Sequence, residues 1–242
     1  MHTLSIVIPA FNEEPRLGRT LNTIRHAFQG GALPDIRLDR IIVADDGSTD
    51  ATVEVAEGFA ESLPITVVRL PHNRGKGAAV RAGMRLITGD FALIYDADGA
   101  APIAEVPKLF NAILERKADI AIGSRVLGHS EGIVTMRRHR RFIGRTYHLL
   151  CSLLVPGIRD TACGCKLFRR EAAETLFRLQ RIDRFSFDVE VLAIALRRGY
   201  KVVEVPLHWV AVPESKVRLI RDGIQMFRCL VALYVRRMMG RL

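Results

Sequence analysis

Apolar residues recur along the first half of the chain in two alternating rhythms. Leu4–Pro9, Ile41–Ala44, Ile65–Leu70, Phe91–Tyr95 and Ile120–Ile122 are short apolar runs. Between them, Pro15–Phe28, Thr49–Ser62, Lys76–Ile87 and Ile103–Arg116 carry apolar positions at helical spacing. Strands apolar on both faces, separated by amphipathic helices, predict a mostly parallel sheet covered by helices on both sides. That is an α/β, Rossmann-like architecture.

Such a sheet takes its ligands at the carboxyl ends of the strands, and the polar clusters of this chain fall there. Pro9-Ala10-Phe11-Asn12-Glu13 follows the first strand, Asp45-Asp46-Gly47-Ser48 the second, His72-Asn73-Arg74-Gly75-Lys76 the third and Asp96-Ala97-Asp98 the fourth. The second half is less regular. A strand is expected at Cys165–Phe168, a helix at Asp188–Arg198 and a strand at Val202–Leu207. Val217–Met239 lacks proline, and Ile220, Ile224, Phe227, Val231, Tyr234 and Met238 recur at spacings of three and four. Residues 1–212 are expected to form one domain with a basic amphipathic insertion near 133–157, and residues 213–242 a C-terminal amphipathic helical extension.

Composition narrows the partners. The chain has 242 residues, 49% apolar and 26% charged, ordinary for a folded domain. Its formal net charge of +10 asks for an anionic partner. Nucleic acid is disfavoured, because aromatics make up only 7% and Trp209 is the single tryptophan, too few to interleave stacking rings with the basic stretches. Cys151, Cys163, Cys165 and Cys229 form no CxxC pair and no zinc pattern, so they read as reduced structural thiols. The N-terminus enters an apolar run at once, without the layout of a signal peptide. No stretch has the roughly 18–20 apolar residues that span a bilayer. Peripheral attachment to the cytoplasmic side of a membrane is therefore expected.

The polar clusters suggest specific chemistry. Asp96 and Asp98, one residue apart at a strand end, can share one Mg²⁺ or Mn²⁺ whose charge offsets that growing on a leaving diphosphate. Gly47 suits a tight turn, and Ser48 or Thr49 can cap the following helix. A turn does not explain Asp45 and Asp46, and Asp45 is placed to accept from a nucleobase N–H. Asn73–Gly77 opens a helix whose backbone N–H groups, with Lys76, suit an anion. Its spacing matches neither a Walker A loop nor a dinucleotide fingerprint.

PAFNEE, ADDGSTD, NRGKGAAVRAG, DADGA and GSR, in this order, resemble glycosyltransferase family two, which has the GT-A fold. Ile158–Phe168, Phe187-Asp188-Val189-Glu190 and Ser215-Lys216 look like the dolichyl-phosphate β-glucosyltransferases, with the dolichyl-phosphate mannosyltransferases next. The resemblance runs from Leu4 to the C-terminal helix. It implies that Pro9, Ala10, Asn12, Glu13 and Asp45 line a nucleoside pocket, with Asp46, Lys76, Gly77 and Ala97 in the same nucleotide-binding set. Asp96 and Asp98 would serve the metal and diphosphate. Ser124-Arg125 would lie near the sugar and the acceptor phosphate. The mannosyltransferases continue DAD with Leu-Gln, where this chain has Gly99-Ala100 as the glucosyltransferases do. The N-terminal membrane helix of eukaryotic glucosyltransferases has no counterpart in these residues.

The implied reaction is an inverting transfer of glucose from UDP-glucose to a polyprenyl phosphate. GDP-mannose or UDP-N-acetylhexosamine as donor, and a glycan as acceptor, stay open. A lipid phosphate, with a second pKa near 6 by analogy with phosphorylated side chains, needs positioning by cations rather than a general base. Arg125, Arg140, Arg141, Lys166 and Lys216 are the candidates. Asp188, with Glu190, reads either as a base or sugar contact, or as an acidic pair at a helix start. The basic C-terminal helix suits a membrane interface, or alternatively packing on the sheet with its arginines in water. Self-association into a homo-oligomer is left open.

Overall fold

The computed structural model describes residues 1–33, 35–130, 150–210 and 219–240, with backbone alone at residues 219–222 and 224. Arg140, Arg141 and Lys216 lie outside the described residues.

The strands are β1 (His2–Ala10), β2 (Ile36–Asp45), β3 (Ile65–Arg69), β4 (Phe91–Tyr95), β5 (Ile120–Ser124), β6 (Cys165–Arg169) and β7 (Val202–Pro206). They form one sheet in the order β3-β2-β1-β4-β6-β5-β7. All neighbours are parallel except at β6, which runs antiparallel to β4 and β5. The helices are α1 (Glu14–Gln29), α2 (Thr52–Glu57), α3 (Lys76–Met84), α4 (Val106–Arg116), α5 (Arg125–Ser130), α6 (Arg170–Leu179), α7 (Phe187–Arg197) and α8 (Leu219–Met238).

The period-two alternation of each strand divides its apolar side chains between two cores. Leu4, Ile6 and Ile8 of β1 join α1 and α4 through Leu17, Leu21, Leu109 and Ile113. Val7 points the other way, with Ala79, Val80 and Met84 of α3, Leu176 and Phe177 of α6, Val191 and Leu192 of α7, and Leu230 and Leu233 of α8. Burying a leucine or isoleucine side chain contributes about 1.5–3 kcal/mol. Two cores on one sheet therefore supply a rigid platform whose edge can carry strained or charged loops.

The antiparallel β6 has a functional consequence. Its register pairs Cys165 with Tyr95. The residues before β6 therefore reach the same edge as the residues after β1, β2, β4, β5 and β7. Two expectations change here. The helix expected over Thr49–Ser62 is confined to Thr52–Glu57. Its start is served not by Ser48 or Thr49 but by Asp50, whose Oδ1 accepts from Thr52 N and Thr52 Oγ1. Ser48 Oγ instead accepts from Asn12 N.

Helix α8 has two apolar faces. Leu230 and Leu233 are buried, Tyr234 donates to the Leu150 carbonyl, and Arg236 pairs with Glu190 at 2.5 Å. Phe227, Val231, Val235 and Met238 face outward and are exposed. Among the described residues no helix is long and apolar enough to cross a membrane.

Candidate active site

The edge is built in layers. At its left, the loops after β1 and β2 are cross-linked. Asn12, held at a positive φ of 52°, accepts from Thr49 N on Oδ1 at 2.9 Å. Glu13 N donates to Thr52 Oγ1, and the Glu13 carboxylate takes the Arg16 guanidinium at 2.7 Å. Ala10 carbonyl accepts from Asp46 N, with Pro9 beside it in β1. Pro9, Ala10, Asn12, Glu13, Asp45 and Asp46 are thus brought together. Asp45 is fully buried. Its carboxylate accepts from Ser48 N and pairs with Arg69 Nε at 3.2 Å. Gly47, at φ +73°, is required: a Cβ there would lie 2.7 Å from the backbone of His72.

Asp46 occupies part of the loop read as an anion site, Asn73–Gly77. Its carboxylate accepts from Arg74 N, Gly75 N and Asn73 Nδ2 at 2.8–2.9 Å. Ala78 N donates to the Asp183 carbonyl. Two of the N–H groups read as a phosphate cradle, those of Arg74 and Gly75, are therefore taken by this chain's own Asp46. Burial pushes the Asp46 carboxyl above its ordinary value, partly offset by the two backbone N–H groups. Gly77 serves packing, since a Cβ there would meet Ile182 O at 2.2 Å. Lys76 alone points into the site, its Nζ 2.6 Å from Asp96 Oδ1.

Asp96 and Asp98 stand at the centre. Ala97, between them, is buried and its carbonyl accepts from Thr20 Oγ1 at 2.8 Å. Asp98 Oδ1 accepts from Ala100 N at 3.0 Å. Burial, and next the charge of Asp96, hold the Asp98 carboxyl above its ordinary value. Burial opposes the Lys76 charge, but Asp96, Asp188 and Asp98 outweigh it and raise the Lys76 pKa. Asp96 is boxed in on its other side. A Cβ on Gly164 would lie 1.8 Å from Asp96 Oδ2, so only glycine fits there while Asp96 keeps this position.

On the right stands Arg125, after β5. Asp160 grips it through Nε and Nη2, both at 2.8 Å, and through its backbone N at 2.9 Å. The guanidinium also lies 5.1 Å from the centre of the half-buried Trp209 ring. Asp160 is in turn held by its own N–H on Glu204 Oε1. Burial opposes the Asp160 charge, and Arg125 overcomes this and keeps its carboxyl below the ordinary value. Burial, then Asp160, pushes the neighbouring Cys163 thiol up to about 12, so it is inert.

Two candidates sit beneath the site rather than in it. Lys166 is 2% exposed and donates to Asp188 Oδ1 at 2.5 Å and to the Cys163 carbonyl. This moves Lys166 from the acceptor-phosphate set to the support of Asp188. Asp188, in the first turn of α7, is correspondingly ion-paired. Glu190 is buried, accepts from Arg181 N and Ile182 N, and has a structural role.

Asp160, Gly164, Trp209 and Glu204 were not assigned roles from the sequence. Asp160 and Gly164 lie inside the Ile158–Phe168 motif, and an antiparallel β6 would have placed both at the edge.

The model of the family described as Glycosyl transferase family 2 matches residues 5–177. The chain belongs to glycosyl transferase family 2. Its relatives within that family include a dolichyl-phosphate beta-glucosyltransferase of Trichomonas vaginalis, 37% identical over 238 residues, covering 94% of this chain and 73% of the relative. Another is the dolichyl-phosphate beta-glucosyltransferase of Drosophila melanogaster, 37% identical over 248 residues, covering 98% and 76%. Among solved structures, glucosyl-3-phosphoglycerate synthase from Mycobacterium tuberculosis, in complex with Mn²⁺, uridine diphosphate and phosphoglyceric acid, superposes with a TM-score of 0.70 at 21% identity, over 98% of this chain and 78% of that one. The mixed seven-stranded sheet of this family 2 member is a GT-A fold, and the chain is a glycosyltransferase of the hexosyl-transferring kind.

Proposed function

We propose that this chain is an inverting transferase that moves glucose from UDP-glucose to a dolichyl-type polyprenyl phosphate at the cytoplasmic face of a membrane. The observation that carries it is the convergence of Asp96, Asp98, Lys76 and the clamped Arg125 on one sheet edge. The names of the relatives supply the acceptor and the sugar.

The carboxylates fit a divalent cation. Asp98 is held above its ordinary value by burial and by the like charge of Asp96, a strain that a cation relieves. Among the described residues no group of three potential ligands exists. Diphosphate oxygens and water would supply further oxygen ligands, a set suited to Mg²⁺ or Mn²⁺. The solved neighbour holds Mn²⁺ with uridine diphosphate. When bound, such an ion neutralises the charge that builds on the leaving diphosphate.

The rest falls to side chains of this protein. Asn12 and the loops after β1 and β2 form the nucleoside end, and the buried Asp45 supports them from beneath through Ser48 N and Arg69 rather than contacting the base as expected. Lys76 brings a positive charge to the diphosphate. Arg125, fixed in plane by Asp160 and Trp209, offers an oriented guanidinium to the acceptor phosphate, whose own charge would otherwise keep it from the donor. Asp188 is tied to Lys166, as befits a reaction in which an anionic phosphate attacks without a general base. The outward stripe of α8, with Arg228 and Arg237 near it, supports a membrane-surface reading.

Donor choice is tested by titration calorimetry in Mn²⁺. UDP is expected to bind at least tenfold more tightly than GDP, about 1.4 kcal/mol. Tighter GDP binding would move the donor to GDP-mannose.

A further inference from the structure

Asp96 has two calls on one carboxylate. Lys76 Nζ lies 2.6 Å from its Oδ1, while Asp98, two residues on, makes the same carboxylate half of a metal-binding pair. A divalent cation drawn to Asp96 and Asp98 meets an ammonium already seated on Asp96, and the two like charges repel in a half-buried setting. The backbone around Lys76 cannot yield, because Arg74 N and Gly75 N are committed to Asp46 and Ala78 N to the Asp183 carbonyl. Gly75 and Gly77 are wedged against Arg184 and Ile182 with no room for a Cβ. The Lys76 side chain, 25% exposed, is the part that can move.

We propose that Lys76 is an exchangeable counter-ion of Asp96. It competes with the divalent cation for that carboxylate, and it transfers its charge to the diphosphate when nucleotide and metal enter together. Nucleotide and metal are thereby coupled: each strengthens the binding of the other, because the diphosphate draws away the ammonium that opposes the metal. The inference rests on the reading that Asp96 and Asp98 hold the cation.

The test is Mn²⁺ binding to the full chain, followed by the electron paramagnetic resonance signal of free Mn²⁺, with and without UDP. Lys76→Met and Lys76→Gln are expected to bind Mn²⁺ alone about tenfold more tightly than the unaltered protein, within the usual range of coupling between sites. With UDP present they gain nothing, so the enhancement of Mn²⁺ binding by UDP shrinks. The proposal is overturned if both variants bind Mn²⁺ alone no more tightly than the unaltered protein. Loss of Mn²⁺ binding in both also counts against it, since glutamine keeps a neutral polar end on a shorter stem. Asp98→Asn separates the two layers. If it abolishes Mn²⁺ binding while the Lys76 variants change nothing, only the exchange fails. If it leaves Mn²⁺ binding with UDP intact, the metal assignment fails and the exchange with it.

Discussion

Asp98→Asn lowers sugar transfer by about 10²–10³-fold, the usual loss when one preorganised electrostatic contact to a developing charge is removed, while making the protein in chelator harder to unfold at neutral pH. Both effects have one cause. Burial and then Asp96 raise the Asp98 pKa in the folded chain. A group with a raised folded pKa adds stability below its unfolded value and loses that contribution as pH rises through the folded value. At neutral pH the ionised Asp98 therefore works against folding, and asparagine removes that charge while its Oδ1 can still accept from Ala100 N. Thermal unfolding in chelator should show the variant melting higher at pH 7, with the difference closing as pH falls toward the ordinary carboxylate range. Equal melting temperatures at pH 7 would contradict the electrostatic account.

Gly164→Ala is the second large effect, and it acts without touching any charge. The three atoms nearest the added Cβ all belong to the Asp96 carboxyl group, the closest at 1.8 Å. Relief requires Asp96 to turn aside, which breaks its 2.6 Å contact with Lys76 and separates it from Asp98. Misplacing a reacting constellation by about 1 Å costs about 10²-fold in rate. The sheet is unaffected, because the added methyl meets a side chain at the edge and not the core. Transfer is expected to fall about 10²-fold, with the urea unfolding free energy changed by about 1 kcal/mol or less. Normal transfer by the variant would show that the position of Asp96 does not matter.

The parts of this design that were legible in the sequence are those fixed by local pattern. Apolar runs such as Phe91–Tyr95 became strands as expected, because a strand buried on both faces is apolar throughout. The placement of Asp45, Asp46, Asp96 and Asp98 followed from parallel strands sharing one carboxyl edge. The direction of β6 was not legible. Periodicity says nothing of direction, so the antiparallel run of β6, which delivers Asp160 and Gly164 to the edge, was invisible. Helix α6 was legible in principle, since Ala172, Ala173, Leu176 and Phe177 recur at helical spacing.

The loop Asn73–Gly77 was legible only in part. Glycine, lysine and a helix start do suit an anion, but two of the loop's N–H groups, those of Arg74 and Gly75, go to Asp46. Partners so distant in sequence are set by tertiary packing, which local pattern does not carry. The same holds for Lys166. A lysine in a strand between Ile94 and Ile122 reads as a cation for a ligand until the fold brings Asp188 to it.

The central claim is transfer of glucose from UDP-glucose to a lipid phosphate. Its most direct test is the purified full chain with Mn²⁺ or Mg²⁺, radiolabelled UDP-glucose or, separately, GDP-mannose, and a polyprenyl phosphate in detergent, with Asp98→Asn as control. Label passing from UDP-glucose into the lipid phase, and lost in the variant, is the predicted result. Label passing only from GDP-mannose, or no label in lipid from either donor while UDP still binds, would contradict it.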